Sequence, residues 1–479
     1  MRRDRNTASR SPQAALKVLG GLILVIALFS LLQLGSITGS VSTATTNNAL
    51  RENTPEPTTK APTETPKQEQ KKEPEVPVIP EPVVNVKTGS KGIIMCLHNR
   101  LIPLGASLIR ELRCLGNNEP IEIYQCNNEL SKSNIDLLHA VDSNLRIIDA
   151  CKSLVDRGVF NEQLANTFRS YWIKPLALHQ TEFDEVILID ADDLLLKDPA
   201  KLRDIAGYKE KGTVFFYDRV IRDANFFNRW YEPSPGAKKV HYLPYWLEHF
   251  DYERFGIPKT PPSQHVLKSD AYNDRTCHEQ DSSLVLIDKS RSGKAMAVLW
   301  FLITEQRFRV EFSLGDKESF WLAYEFARAP YFFSPWGASV ISSQPNGDVE
   351  RYEATLCGSL CHYNPVEDNT PELLYINGRA ALDFVPFNLE DVGRLRRNLI
   401  FTMLVTHMTP RQKRKGMGPY KNGEHYEMEC NVGLGKTPTP PVLRHHLWRR
   451  RLHFLAISMS LLEPLKSCDM GGKPTLFSD

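Results

Sequence analysis

The sequence predicts an α/β protein: a mostly parallel sheet with helices between its strands and an acidic site at one sheet edge. Three observations predict it. Short apolar runs alternate with segments of helical periodicity from residue 91 onward. One run, Val186-Ile187-Leu188-Ile189, ends directly in Asp190-Ala191-Asp192-Asp193. The 479 residues are 41% apolar and 9% aromatic, which suits a globular body and excludes wholesale disorder. The formal charge of +2 argues against a globally basic nucleic-acid binder.

The chain opens with five basic residues against Asp4 in 1–17, read as a cytoplasmic tail. Residues 18–32 carry no charge, and 18–35 is read as a signal anchor close to the ~20 residues a spanning helix needs. A cleaved signal peptide is the competing reading, with small residues at 38–40. Both place the body in the secretory pathway. Residues 36–90 hold eight prolines between Pro55 and Pro82 and are rich in Thr, Glu and Lys. They cannot bury enough apolar surface to offset their ordering entropy, so they read as an extended stem.

The catalytic body is expected over 91–393. Strands are expected at 92–97, 121–124, 145–148, 186–189, 213–217 and 282–287, each a short apolar or alternating run. Helices are expected at 103–115, at 161–180 in two pieces with Pro175 in the first turn of the second, and at 295–309 and 317–328. Residues 218–276 form an aromatic-rich insertion, either plain packing or a wall of a sugar groove. Residues 394–479 are a basic extension, with thirteen Lys/Arg against three Glu over 394–451. There Arg449-Arg450-Arg451 leads into an apolar stretch too short to span a bilayer. Its expected contacts are acidic glycan, phosphate or headgroups rather than nucleic acid.

All nine cysteines follow the stem, so some should pair in an oxidising lumen, and the odd count leaves at least one over. Cys357-x3-Cys361-His362 looks like half a zinc site but has no second pair at suitable spacing.

The acidic motif carries the chemistry. With a period of two, Asp190 and Asp192 project from the same side at the carboxyl end of a buried strand. Ligands of open α/β sheets bind at that edge. Two carboxylates there repel unless a cation lies between them, and oxygen ligands suit Mn²⁺ or Mg²⁺. Such an ion can neutralise a departing diphosphate. Asp193 is a third ligand or a turn cap.

The strand with its D-x-D, followed by Leu196-Lys197-Asp198-Pro199, resembles the Rossmann-like GT-A glycosyltransferases. Glu279 to Lys289, Val214 to Arg219 and above all Gly315-Asp316-Lys317-Glu318-Ser319-Phe320-Trp321-Leu322-Ala323 are similar to the fungal-type Golgi α-mannosyltransferases, glycosyltransferase family 71, over about 91–390. The resemblance implies GDP-mannose as donor, Mn²⁺, a mannan or glycan acceptor, and retained α configuration. It implies a single-pass Golgi membrane enzyme with a lumenal body. Late histidines in this fold class suggest His362 as the remaining metal ligand beside Asp190 and Asp192. His98 and Asn99, after the first strand, are expected at the nucleotide, and Arg169 and Lys174 at the diphosphate. Asp281 is expected nearest the anomeric carbon, with Glu279 and Gln280 at the sugar. Asp316 and Lys317 are expected at acceptor or donor sugar, unless Asp316 only caps its helix. The alternatives are a family-8-like transferase using a UDP-sugar and an inactive glycan-binding ectodomain.

Overall fold

The computed structural model describes residues 77–343, 346–382, 405–416 and 428–468. The expected tail, anchor and most of the stem lie outside the described residues. Among the described residues no helix is long and apolar enough to cross a membrane.

Six strands form the central sheet: β1 (Lys87–Cys96), β2 (Ile121–Gln125), β3 (Leu145–Asp149), β4 (Phe183–Ile189), β6 (Thr213–Tyr217) and β7 (Gln280–Asp288). Between β4 and β6 lies the short β5 (Asp193–Leu195), which belongs to a second sheet. The central order is β3-β2-β1-β4-β7-β6. β1 pairs in parallel with β2 and β4, and β2 with β3, while β7 is antiparallel to β4 and β6. The carboxyl ends of β1, β4 and β6 and the amino end of β7 therefore share one edge. The strands read as continuous apolar runs because both faces are covered. In β4, Ile187 and Ile189 join one apolar layer and Val186 and Leu188 the other.

Four helices matter for the site: α1 (Ile102–Cys114), α2 (Ile173–Gln180), α3 (Ser319–Ala327) and α4 (Pro441–Ser458). Pro175 sits in the first turn of α2, where its missing N–H is not needed. The second sheet runs β8 (Ser339–Val340), β9 (Leu360–Tyr363), β10 (Leu373–Asn377), β5, all antiparallel. It brings Asn377 level with Asp193, directly behind the D-x-D.

Two expectations change and one open reading narrows. The folded body starts before residue 91: β1 begins at Lys87, the Trp300 indole donates to the Ile79 carbonyl at 2.9 Å, and Glu81 lies 3.0 Å from buried His179. Most aromatics of 218–276 are packing: Phe227, Tyr242, Trp246 and Phe250 are buried in the second apolar layer, while Trp230 is 55% exposed. The described parts of 394–479 are no free basic appendage. Arg449, Arg450 and Arg451 are buried, and disulfides Cys357–Cys430 and Cys114–Cys468 tie this region to the body. The sequence hid this because these partners lie 70 to 354 residues upstream. A third disulfide joins Cys126 and Cys151; Cys96, Cys277 and Cys361 are free. With Cys357 disulfide-bonded, the Cys357/Cys361/His362 set has no thiolate pair to offer a metal.

Candidate active site

A cleft of about 360 Å³ opens at the carboxyl ends of β1 and β4. His98, Arg169, Lys174, Asp190, Asp192 and Arg379 line it. Its floor follows from the β4–β7 register, in which Ile189 faces Leu284. One residue on, the Asp190 N–H donates to the Ser283 carbonyl at 2.8 Å, so the strand ladder itself positions the first acid.

Lys174, on α2, is buried beneath the cleft. Its Nζ lies 3.0 Å from Asp190 Oδ1 and 3.1 Å from Asp316 Oδ2, and it donates to Ser282 Oγ at 3.1 Å and the Ser282 carbonyl at 3.2 Å. Lys174 was expected at the diphosphate; it is committed to carboxylates instead. Asp316 was expected at a sugar or as a helix cap. Its side chain joins Lys174, and only its carbonyl meets the start of α3, accepting from Ser319 N–H at 3.0 Å.

The acids are crowded. Burial, then repulsion from Asp192 and Asp316 against the pull of Lys174, pushes the Asp190 carboxyl up to about 7. Burial also raises Asp192, Asp193 and Asp316. Asn377 Nδ2 donates to Asp193 Oδ1 at 2.9 Å and to Asp192 Oδ1 at 3.3 Å. Asp193 Oδ2 is buried without a hydrogen-bond partner. Against four acids, the Lys174 ammonium and the Arg450 guanidinium behind the turn leave this cluster short of positive charge, and the atoms it offers a cation are all carboxylate oxygens. That set fits a hard divalent cation. Among the described residues no group of three His, Cys, Asp or Glu could itself hold a metal. The fit is therefore the open kind, in which one or two carboxylates share the ion with phosphate and water.

His362, expected as the remaining metal ligand, does not line the cleft. Its Nε2 lies 2.7 Å from Asp281 Oδ2, and its ring packs against Tyr375 and Phe216. The reason is register: Asp281 pairs with Phe216 inside the sheet, one strand from β4, and β9 crosses there. Asp281 also accepts from the Ser283 N–H and hydroxyl, both at 3.0 Å. Burial opposes its charge, but the His362 bond holds the carboxyl below its ordinary value. Asp281, expected nearest the anomeric carbon, is thus buried and paired, and does not line the cleft.

The remaining expected residues divide. His98 lines the cleft, with Nδ1 accepting from Arg100 N–H at 3.3 Å. Asn99 does not: its Oδ1 accepts from Ser131 N–H at 2.8 Å and from Asn134 Nδ2 at 2.7 Å. Arg169 lines the cleft wall, 3.3 Å from Glu129. Lys317 pairs with Asp218 at 2.5 Å, and the ammonium draws that carboxyl far down against burial. Glu279 meets Arg414 at 2.5 Å, and burial outweighs the arginine enough to push its carboxyl up to about 6. Gln280 Oε1 accepts from Trp321 N–H at 3.1 Å, while its Nε2 is buried without a partner. The sequence did not point to Arg379 and exposed Tyr171 at the cleft, or to Asn377 behind the acids. The Asn377-Gly378-Arg379 turn, which follows β10, was the available signal.

A family described as "Mannosyltransferase putative" matches residues 90–364. The alpha-1,3-mannosyltransferase MNT3 of Saccharomyces cerevisiae is 23% identical over 314 residues, covering 63% of this chain and 48% of that protein. The alpha-1,3-mannosyltransferase MNT2 of the same yeast is 25% identical over 305 residues, covering 61% of this chain and 52% of that protein. The chain thus spans about half the length of these curated relatives. The solved galactosyltransferase LgtC, in complex with donor and acceptor sugar analogs, aligns at a TM-score of 0.32 and 9% identity, covering 65% of this chain and 95% of that one. The family match takes in more than half of the chain, from the start of the sheet through β9, and the chain belongs to this mannosyltransferase family.

Proposed function

We propose that the chain is a GT-A glycosyltransferase that moves mannose from GDP-mannose to a glycan acceptor, with α configuration retained and a divalent metal, Mn²⁺ or Mg²⁺, at Asp190 and Asp192. The observation that carries this reading is the under-neutralised acid cluster at the cleft floor, formed where β1 and β4 end. The relatives' names supply the sugar. A divalent ion bound there would supply positive charge to the departing diphosphate.

The chain's own residues do the rest. Lys174 counters the cost of burying the Asp190 and Asp316 carboxylates and holds both in place. Arg169 and Arg379, on the cleft wall, are the cations placed to face diphosphate oxygens. The end of β1 at Cys96–His98 forms the wall on which the nucleotide base lies. Three disulfides support a body housed in an oxidising compartment, in keeping with a Golgi membrane protein of lumenal orientation.

The test is a donor panel of GDP-mannose, UDP-glucose and UDP-galactose, with and without Mn²⁺. Mn²⁺-dependent release of GDP is expected, abolished in Asp192→Asn. Release of UDP but not GDP overturns the mannosyl reading and favours the family-8-like one.

A further inference from the structure

Helix α4 lies beyond residue 364, where the family match ends. Its three consecutive arginines point in three directions, because successive residues turn by about 100° around a helix. All three are nonetheless buried. Arg449 donates to buried Glu111 of α1 at 2.6 and 2.8 Å, with His446 Nδ1 3.0 Å from the same carboxylate. Arg451 donates to the Ala381 carbonyl at 2.6 Å, two residues past Arg379. Arg450, fully buried, reaches the D-x-D turn itself. Its Nη2 donates to the Ala191 carbonyl at 2.8 Å and to the Asp193 carbonyl at 3.4 Å. Its Nη1 donates to Ser107 Oγ on α1.

The first carbonyl belongs to the peptide that enters Asp192, the second to the peptide that leaves Asp193, so the two span the turn that carries Asp192. One planar guanidinium holding both brackets the backbone from which Asp192 projects. The same charge lies behind the acids and offsets their repulsion. Nη2 meets both carbonyls while Nη1 reaches Ser107 on α1, and a lysine, with one ammonium, lacks this fork that holds the turn and α1 together.

We propose that Arg450 is a positioning residue for the metal-holding acids: from the far C-terminal helix, it sets the D-x-D turn so that Asp190 and Asp192 converge on one cation. This rests on the reading of those two residues as metal ligands.

The test measures Mn²⁺ affinity of the full chain by the electron paramagnetic resonance signal of free Mn²⁺, alongside the thermal midpoint. The variants are R450K, R450Q, D192N and R444A, the last at an exposed position of the same helix. R450K and R450Q should each weaken Mn²⁺ binding about tenfold or more, the range typical of groups that orient metal ligands. R444A should bind as the wild type, and D192N should lose binding. If R450K and R450Q bind Mn²⁺ as the wild type while D192N does not, Arg450 is packing alone and the proposal fails. If D192N also binds as the wild type, the metal reading itself fails.

Discussion

Replacing Lys174 by methionine tests whether the lysine is the counter-ion of the acid cluster. The change keeps chain length and removes the charge. It strands Asp190 and Asp316, which lie 3.0 and 3.1 Å from Nζ, in a buried setting. Removing one partner of a buried ion pair costs about 3–5 kcal/mol. At roughly 1–2 °C per kcal/mol for a body of this size, the midpoint should fall by about 3–10 °C at pH 7.5. The loss has a defined pH sign. The Asp190 carboxyl already sits up at about 7 with Lys174 present, and it moves higher without it. A carboxyl raised in the folded state contributes stability at low pH that is lost as pH rises through its folded value. The deficit of K174M should therefore shrink at pH 5.5, where protonation relieves the stranded charge. Added Mn²⁺ should shrink it at pH 7.5, by replacing the missing positive charge. Differential scanning fluorimetry at fixed scan rate, at both pH values and with and without Mn²⁺, reads this out. A deficit that ignores both pH and Mn²⁺ would refute the counter-ion role.

Glu111→Ala should destabilise by about 3–5 kcal/mol in chemical denaturation, because it leaves Arg449 buried without its carboxylate. Replacing Cys114 and Cys468 by serine should cost about 2–5 kcal/mol and speed proteolysis within 441–468, the segment this bridge fastens to α1. Burial lowers His265 from 6.5 to about 4, so its neutral form is built into the fold. Its stability contribution is complete above about 6.5 and is lost as pH falls toward 4. His265→Phe keeps the stack on Phe333 and should flatten the acid limb of the stability curve by about 3 kcal/mol.

The sheet was legible because its strands are short, unbroken apolar runs rich in β-branched residues and spaced by helical segments. Thus β4 and the D-x-D were placed correctly from Val186 to Asp192 alone. Partners were another matter. Whether Lys174 meets a phosphate or Asp316 depends on a 142-residue separation that no periodicity encodes. His362 was read as a ligand because a histidine late in such a domain is chemically suited to one; its hydrogen bond to Asp281, set by the register of β6, β7 and β9, was not legible. The arginine run 449–451 read as a solvated basic surface, since burial of three arginines requires acceptors that lie 70 to 343 residues away. The aromatic insertion read two ways for a related reason: an aromatic-rich stretch looks alike in sequence whether its rings stack on sugars or on each other.

The central claim is that Asp190 and Asp192 serve a metal-dependent mannosyl transfer. Proton NMR of a reaction containing GDP-mannose and a mannoside acceptor, with and without Mn²⁺, tests it in one measurement. An α-mannosidic anomeric signal should appear only with Mn²⁺ and rise with free GDP. A β-linked first product, or transfer that proceeds equally well in a metal chelator, would contradict it.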